Sequence, residues 1–196
     1  LGNGAVIIET TGMTGHAAFP SHGKNAIGQM LLLFRELGAT GALRSLADGV
    51  GMTYNGENLG IAMRDDISGE LTGSLDIIRV DDETVEALMD IRYPVLLNPE
   101  AMVHMIREAL PDMEITVPTS RKPHYVNERT ELVQELLEAY HEVTGGEKKT
   151  IAIGGGTYAR SMDNCVAFGS VFPGAPELAH QANEHMDIEE LLQNAR

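Results

Sequence analysis

The stretch Leu71–Pro94, LTGSLDIIRVDDETVEALMDIRYP, carries the clearest strand signal in the chain. Its two halves alternate apolar and polar positions, and the apolar ones are Leu71, Leu75 and Ile77, then Val85, Ala87, Met89 and Ile91. Such alternation is typical of strands with one buried face, and the Asp81-Asp82 pair between the halves favours a turn. The stretch therefore predicts an antiparallel hairpin.

A helix is predicted on each side of this hairpin. Before it, Asn25 can cap an amphipathic helix that Gly38 closes. After it, Asn98 and Pro99 supply the cap and first position of a second helix, which Pro111 stops. The hairpin is thus expected to pack against two helices.

Two further strands complete the predicted domain. Ala5–Thr11 is rich in β-branched residues, and Met113, Ile115 and Val117 alternate with polar residues. The order βαββαβ predicts a ferredoxin-like sandwich over residues 1–118. Residues 38–60 are rich in glycine, and their pattern favours neither a helix nor a strand. A turn is predicted within them at Tyr54-Asn55-Gly56.

The pattern changes over residues 119–196. An amphipathic helix is predicted from Thr130 to Thr144, and a short final helix from Ile188 to Ala195. IAIGGGTYA, residues 151–159, and CVAFGSVFPG, residues 165–174, resemble short buried strands joined by glycine loops. The fold class is therefore α/β, in the α+β sense: a sandwich followed by part of an α/β layer, whose apolar edge should be exposed.

Composition excludes several classes of partner. The chain has 29 acidic and 14 basic residues and a net charge of -15, which disfavours nucleic acid as a partner. The longest apolar runs, such as Met30–Phe34, are too short to span a membrane. A single cysteine, Cys165, excludes an internal disulfide, and with no signal peptide in view a cytoplasmic location is expected. Because the chain opens at Leu1 within a strand-like run, we expect it to be part of a longer protein.

Four motifs carry chemically useful side chains. They are TGHAAFPSHGKNAI around His16, DIRYP with Arg92, GGGTYAR from Gly154, and PELAHQANEHM around His180. Each has a plainer interpretation by itself: a polar strand end, a solvated strand face, a tight turn, and a surface or capping histidine. Imidazole is also a good zinc ligand, and a guanidinium binds carboxylates through paired hydrogen bonds. Together, in this order, the motifs are typical of the later part of a zinc-dependent hydrolase.

With these motifs the chain resembles the carboxy-terminal part of the aminoacylase/carnosinase-like dinuclear zinc metallopeptidases, and among them the bacterial PepV-type dipeptidases. The resemblance implies a lid domain over residues 1–118 and the last segment of the catalytic domain over residues 119–196. The family's HxD motif, Glu-Glu pair and further carboxylate precede the lid and have no counterpart here. Tyr158, where many aminoacylases have aspartate, fits the dipeptidase branch.

The resemblance also implies a role for each motif. His16 would stabilise the oxyanion that forms on the attacked carbonyl, Arg92 would bind the substrate's carboxylate, and His180 would bind one of two zinc ions. The glycine loop would contribute substrate-binding groups at Gly154, Gly155, Gly156 and Thr157. The implied reaction is hydrolysis of a dipeptide by a metal-activated water, and the fragment alone is expected to be inactive and to bind zinc weakly.

Two alternatives remain open at this point. The protein could be an N-acyl amino-acid deacylase of the same family, or a non-catalytic dimerisation or interaction module, and a homodimer is compatible with each reading. The expected ligand is a small peptide. His22 and His185 lie outside the matched positions and are interpreted as exposed and structural, respectively.

Overall fold

The regular structure comprises two antiparallel strand pairs and five α-helices, described for residues 6–176, 178–179 and 182–196 of a computed structural model. The chain divides into two compact units, Leu1–Pro123 and His124–Arg196. The elements are α1 (Ala26–Glu36), α2 (Gly41–Gly49), β1 (Arg64–Asp65), β2 (Gly69–Glu70), β3 (Thr72–Val80), β4 (Val85–Arg92), α3 (Pro99–Ala109), α4 (Glu131–Thr144) and α5 (Ile188–Asn194). The predicted mixed class of helices and strands is confirmed. No helix in the described part is long and apolar enough to cross a membrane.

The predicted hairpin is present as β3 and β4. Its register runs from Thr72 opposite Arg92 to Val80 opposite Val85. In the turn, Asp81 Oδ1 accepts hydrogen bonds from the backbone N–H groups of Glu83 at 2.9 Å and Thr84 at 2.7 Å. Because these bonds favour the charged carboxylate, the pKa of Asp81 lies below its ordinary value. The aspartate-based turn is therefore confirmed.

A β-bulge interrupts β3 and changes which side chains face the core. The register shifts between Leu75 and Ile77, so Asp76 is the additional residue. Beyond the bulge Ile78 packs against the core, while Ile77 is 38% exposed and pairs with Leu88, which is 47% exposed. The prediction that Ile77 shares a face with Leu75 is wrong, because one inserted residue reverses the alternation.

Helices α1, α2 and α3 share one hydrophobic core with the hairpin. The core consists of Leu31, Leu46, Ala47, Val50, Leu59, Ile61, Leu71, Leu75, Met102, Ile106 and Leu110. A Cβ atom at Gly28 would lie 2.3 Å from the carbonyl oxygen of Gly51, so α1 meets the residues after α2 through backbone. Asn25 and Asn98 cap α1 and α3 as predicted, each accepting hydrogen bonds from two backbone N–H groups.

Helix α2 lies within the glycine-rich residues 38–60. Leu43, Leu46, Ala47 and Val50 have helical spacing, but the glycines around them weaken the signal. The predicted turn at Tyr54-Asn55-Gly56 is confirmed: Asn55 Oδ1 accepts a hydrogen bond from Glu57 N at 3.1 Å, and Gly56 has a φ of 70°.

The predicted outer strands do not form in the described residues. Ala5 lies outside them, and residues 6–12 and 113–117 have no strand assignment. Thr10 Oγ1 donates to the carbonyl of Ala26 at 2.9 Å, and Gln29 Nε2 donates to that of Thr11 at 3.0 Å. Residues 10 and 11 are therefore bound to the start of α1, and the main sheet consists of β3 and β4.

The second unit contains the two predicted helices but not the predicted strands. Helix α4 follows Thr130, as expected, and ends at Gly145, which has a φ of 69°. Residues 151–159 and 165–174 have no strand assignment, and Ile151 and Phe168 are 75% and 54% exposed. A strand needs a hydrogen-bonding partner, and the described residues of this unit offer none. Exposed apolar surface was expected here and is observed.

We expect Gly73→Ala to stabilise the first unit. Gly73 is buried on the core face of β3 beside a small apolar cavity, and an added Cβ would have Met89 Cε as its nearest described neighbour, at 4.0 Å. The free energy of unfolding should rise by about 0.4–1 kcal/mol, because alanine restricts the unfolded chain and fills space. Urea denaturation measures this change.

Gly56→Ala is the matched control in the same cavity wall. At Gly56, φ is positive and a Cβ atom would lie 2.3 Å from Ile61 Cγ1, so the same substitution should destabilise the unit. Equal losses of stability in both variants would contradict the packing described for β3.

Candidate functional site

The loop that carries His16 is closed at its base. Met13 and Lys24 exchange backbone hydrogen bonds of 2.9 and 2.8 Å, which bring the two ends of the loop together. Gly15 and Gly23 then pass so closely that a Cβ at Gly15 would lie 2.9 Å from the nitrogen of Gly23. Both glycines of the motif are therefore needed for the loop to close. Because His16 directly follows Gly15, this close approach also fixes the backbone position of His16.

Asn25 fastens the end of this loop to the hairpin. Its Oδ1 caps α1, and its Nδ2 donates to the carbonyl of Leu75 at 2.8 Å, beside the bulge. The backbone N–H of Asn25 donates to the hydroxyl of Tyr54 at 3.2 Å. One side chain thus joins the loop, α1 and β3, so the bulge marks the place where the loop is held.

The ring of His16 is held by its own loop. Its Nδ1 lies 3.1 Å from the backbone nitrogen of Ala18, whose N–H donates to it, and the side chain is half-buried. An Nδ1 that accepts a hydrogen bond carries no proton, so in the neutral imidazole the proton resides on Nε2. His16 is therefore arranged as a hydrogen-bond donor through Nε2, as oxyanion stabilisation requires.

Arg92 ends β4 on the polar face of the hairpin, as predicted. Its Nη2 lies 3.0 Å from Oδ2 of Asp90, and the two side chains are 28% and 36% exposed. Arg92 pairs across the sheet with Thr72, three residues before Leu75, which corresponds to about 10 Å along a strand. The structure thus places Arg92 and the anchor of the His16 loop on one short segment of the hairpin.

Asp65, which was not identified from the sequence, stabilises the segment after Arg92 through hydrogen bonds. Asp65 accepts hydrogen bonds from the N–H of Leu96 at 3.0 Å and of Ser68 at 2.5 Å, and Ser68 Oγ accepts one from Val95 N at 2.8 Å. Burial alone would raise the pKa of Asp65, but these hydrogen bonds together lower it. The charged carboxylate therefore joins the β1–β2 turn to residues 95–96, a contact that sequence spacing does not reveal.

The glycine loop lies in the second unit. None of Gly154, Gly155 and Gly156, all described, has a positive φ, so an anion-binding nest of alternating backbone handedness is not formed. Thr157 precedes a 3₁₀ turn, Tyr158–Ser161, and Tyr158 is 93% exposed. The assignment of Gly154 to Thr157 to substrate binding stays a prediction.

The predicted zinc ligand, His180, lies outside the described residues. Within the described part of the chain, no three His, Cys, Asp or Glu side chains come together as a metal site. His185, interpreted as structural, donates from Nδ1 to the carbonyl of Asn183 at 2.7 Å. The described residues therefore do not form a zinc site by themselves.

A family model named peptidase family M20/M25/M40 matches residues 4–196. The chain belongs to this family. Among similar proteins, "Putative dipeptidase YtjP" of Bacillus subtilis (strain 168) is 35% identical over 98% of this M20 chain and 42% of its own length. "Beta-Ala-Xaa dipeptidase" of Lactobacillus delbrueckii subsp. lactis is 30% identical over 92% of this chain and 40% of its own length. The M20 chain thus spans about two fifths of the length of the curated relatives it matches.

Proposed function

We propose that this chain is the lid domain, residues 1–118, and the last catalytic-domain segment, residues 119–196, of a zinc-dependent dipeptidase that acts in the cytoplasm. Membership of the peptidase family and the names of the relatives support a dipeptidase. The structural observation that carries the proposal is the hydrogen bond from Ala18 N–H to His16 Nδ1, which makes Nε2 the protonated nitrogen of the neutral ring.

Zinc enters this proposal through His180 and through ligands outside these residues. A catalytic zinc needs about three protein ligands, and the described residues bring no such group together. We assign one ligand to His180 and the others to the part of the relatives that this chain does not cover. When bound, the metal would supply an activated water and polarise the scissile carbonyl.

His16 acts on the oxygen of the carbonyl under attack. As negative charge develops on that oxygen, the Nε2–H donates a hydrogen bond that is stronger in the transition state than in the ground state. The proton stays on Nε2, because the Ala18 N–H occupies Nδ1 and disfavours the other tautomer. His16 therefore contributes to kcat more than to substrate binding.

Arg92 binds the carboxylate at the end of the dipeptide. Asp90 Oδ2 accepts a hydrogen bond from Nη2 of Arg92, which orients the plane of the guanidinium. The loop from Gly154 to Thr157 is assigned to substrate binding through its backbone and hydroxyl groups. The ligand is then a short peptide with a free carboxylate.

Paired substrates separate the dipeptidase from the deacylase. The full-length protein should hydrolyse a dipeptide faster than an N-acetyl amino acid with the same carboxy-terminal residue. Both a β-alanyl dipeptide and an α-dipeptide are tested, because the name of one relative suggests the β-alanyl compound. The comparison is of kcat/KM for the two substrates. Preference for the N-acetyl compound would assign the protein to the deacylases.

Arg92→Ala in the full-length enzyme should raise KM for free dipeptides by roughly tenfold or more, since a charge-assisted hydrogen bond is lost. Carboxy-amidated dipeptides, which lack the carboxylate, should be affected less. Arg79→Ala is the control, because Arg79 is exposed on the same hairpin, opposite Glu86 at the far end. Steady-state kinetics decide the matter, and unchanged kinetics of Arg92→Ala on free dipeptides would refute the assigned role.

A further inference from the structure

Three aromatic rings are grouped in the loop that carries His16. The ring of Phe19 has its centroid 6.4 Å from that of His16, tilted by 42°, and 5.5 Å from that of His22, nearly parallel at 13°. Both distances lie in the range of attractive ring pairs. Phe19 therefore lies between the two imidazoles.

The backbone of the loop fixes this arrangement. The N–H of Phe19 donates to the carbonyl of His16 at 2.8 Å, and the N–H of His22 donates to the carbonyl of Phe19 at 3.0 Å. The three rings are thus carried on successive hydrogen-bonded turns inside a loop that the Met13–Lys24 bridge closes. The hydrogen bonds of the loop thus set the spacing of the rings, and the Pro20–His22 turn also packs against β3.

Phe19 has no place in the hydrophobic core. Its neighbours Ala18 and Pro20 are buried, whereas Phe19 is 41% exposed and is absent from the core cluster of the unit. Its ring is instead paired with the imidazoles of His16 and His22.

We propose that Phe19 is a positioning residue for His16, with His22 supporting Phe19 from the other side; this inference rests on the proposed function. The hydrogen bond from the Ala18 N–H holds one ring nitrogen of His16. In this proposal the tilted ring of Phe19 limits rotation of the imidazole about that hydrogen bond, and the stacked ring of His22 limits rotation of the Phe19 ring. Together they keep Nε2–H directed at the position where the oxyanion forms.

The test uses the full-length enzyme and its dipeptide substrate. Phe19→Leu, which keeps apolar bulk but removes the ring, should lower kcat roughly three- to tenfold with KM nearly unchanged. Phe19→Tyr and His22→Phe keep the ring contacts and should retain most of kcat. In the His16→Ala background, Phe19→Leu should have no further effect, because the group that it positions is gone.

The wild type, Phe19→Leu, His16→Ala and the double variant form a double-mutant cycle. This cycle separates the positioning role from a merely structural one. Equal losses from Phe19→Leu with and without His16, or no loss in the presence of His16, would overturn the positioning role while leaving the oxyanion role intact. A full-rate His16→Ala enzyme would instead remove the proposed function of His16 itself, and the role of Phe19 with it. Melting temperatures of all variants show whether the loop folds equally well in each.

Discussion

His16→Ala in the full-length enzyme is expected to lower kcat by about 10²–10³-fold, which is the usual loss when one oxyanion donor is removed. KM should change little, because the hydrogen bond strengthens only as charge develops on the substrate oxygen. Bound metal should be retained, since His16 is assigned as a donor and its Nδ1 already accepts a hydrogen bond from Ala18. Steady-state kinetics and metal analysis of the same preparation measure both effects.

Two further variants sharpen this expectation. His16→Gln keeps an N–H donor on the side chain and should recover part of the lost rate. His104→Ala is the control, because His104 is exposed on α3 and interacts with Glu108 at 3.4 Å on the same helix. Loss of zinc in His16→Ala, or an unchanged kcat, would show that this histidine has another role.

His180→Ala in the full-length enzyme should lose zinc and activity together. Removal of a direct ligand weakens the metal site, and loss of the metal removes several kcal/mol of transition-state stabilisation, or about a thousandfold in rate. This pattern differs from that of His16→Ala, which should lose rate and keep metal. Metal content by atomic spectroscopy, measured beside kcat, distinguishes the two.

His185→Ala is the matched control for this second prediction. His185 lies five positions beyond His180 and donates to a backbone carbonyl in its own segment, so its loss should leave zinc content and rate largely intact. A His180→Ala enzyme with a full complement of metal would contradict the assignment, as would a zinc-free His185→Ala enzyme.

Local signals in the sequence predicted the local structure well. The helix caps at Asn25 and Asn98 and the turn at Asp81 are correct, because each depends on a side chain and backbone groups a few residues away. Strand pairing depends on distant segments. The bulge at Asp76, the unpaired residues 6–12 and the irregular backbone over residues 151–159 could not be read from alternation alone.

In the candidate site, too, local features could be predicted from the sequence and contacts between distant segments could not. The motif around His16 identified the residue, but its tautomer follows from the contact with Ala18, which only the folded loop shows. The requirement for Gly15 and Gly23 follows from their close approach across the loop, and the bracing by Asp65 from contacts with a segment about thirty residues away. Residue type thus indicated the chemistry, whereas long-range contacts determine how each group is directed.

The most direct test of the account is dipeptide turnover by the full-length protein, measured as zinc is returned to the metal-free enzyme. We expect no turnover without metal and a rise to a plateau at about two zinc ions per chain, as in two-metal sites. Full turnover by the metal-free protein, or no dipeptide hydrolysis at any zinc concentration, would contradict the assignment of this chain to a zinc-dependent dipeptidase.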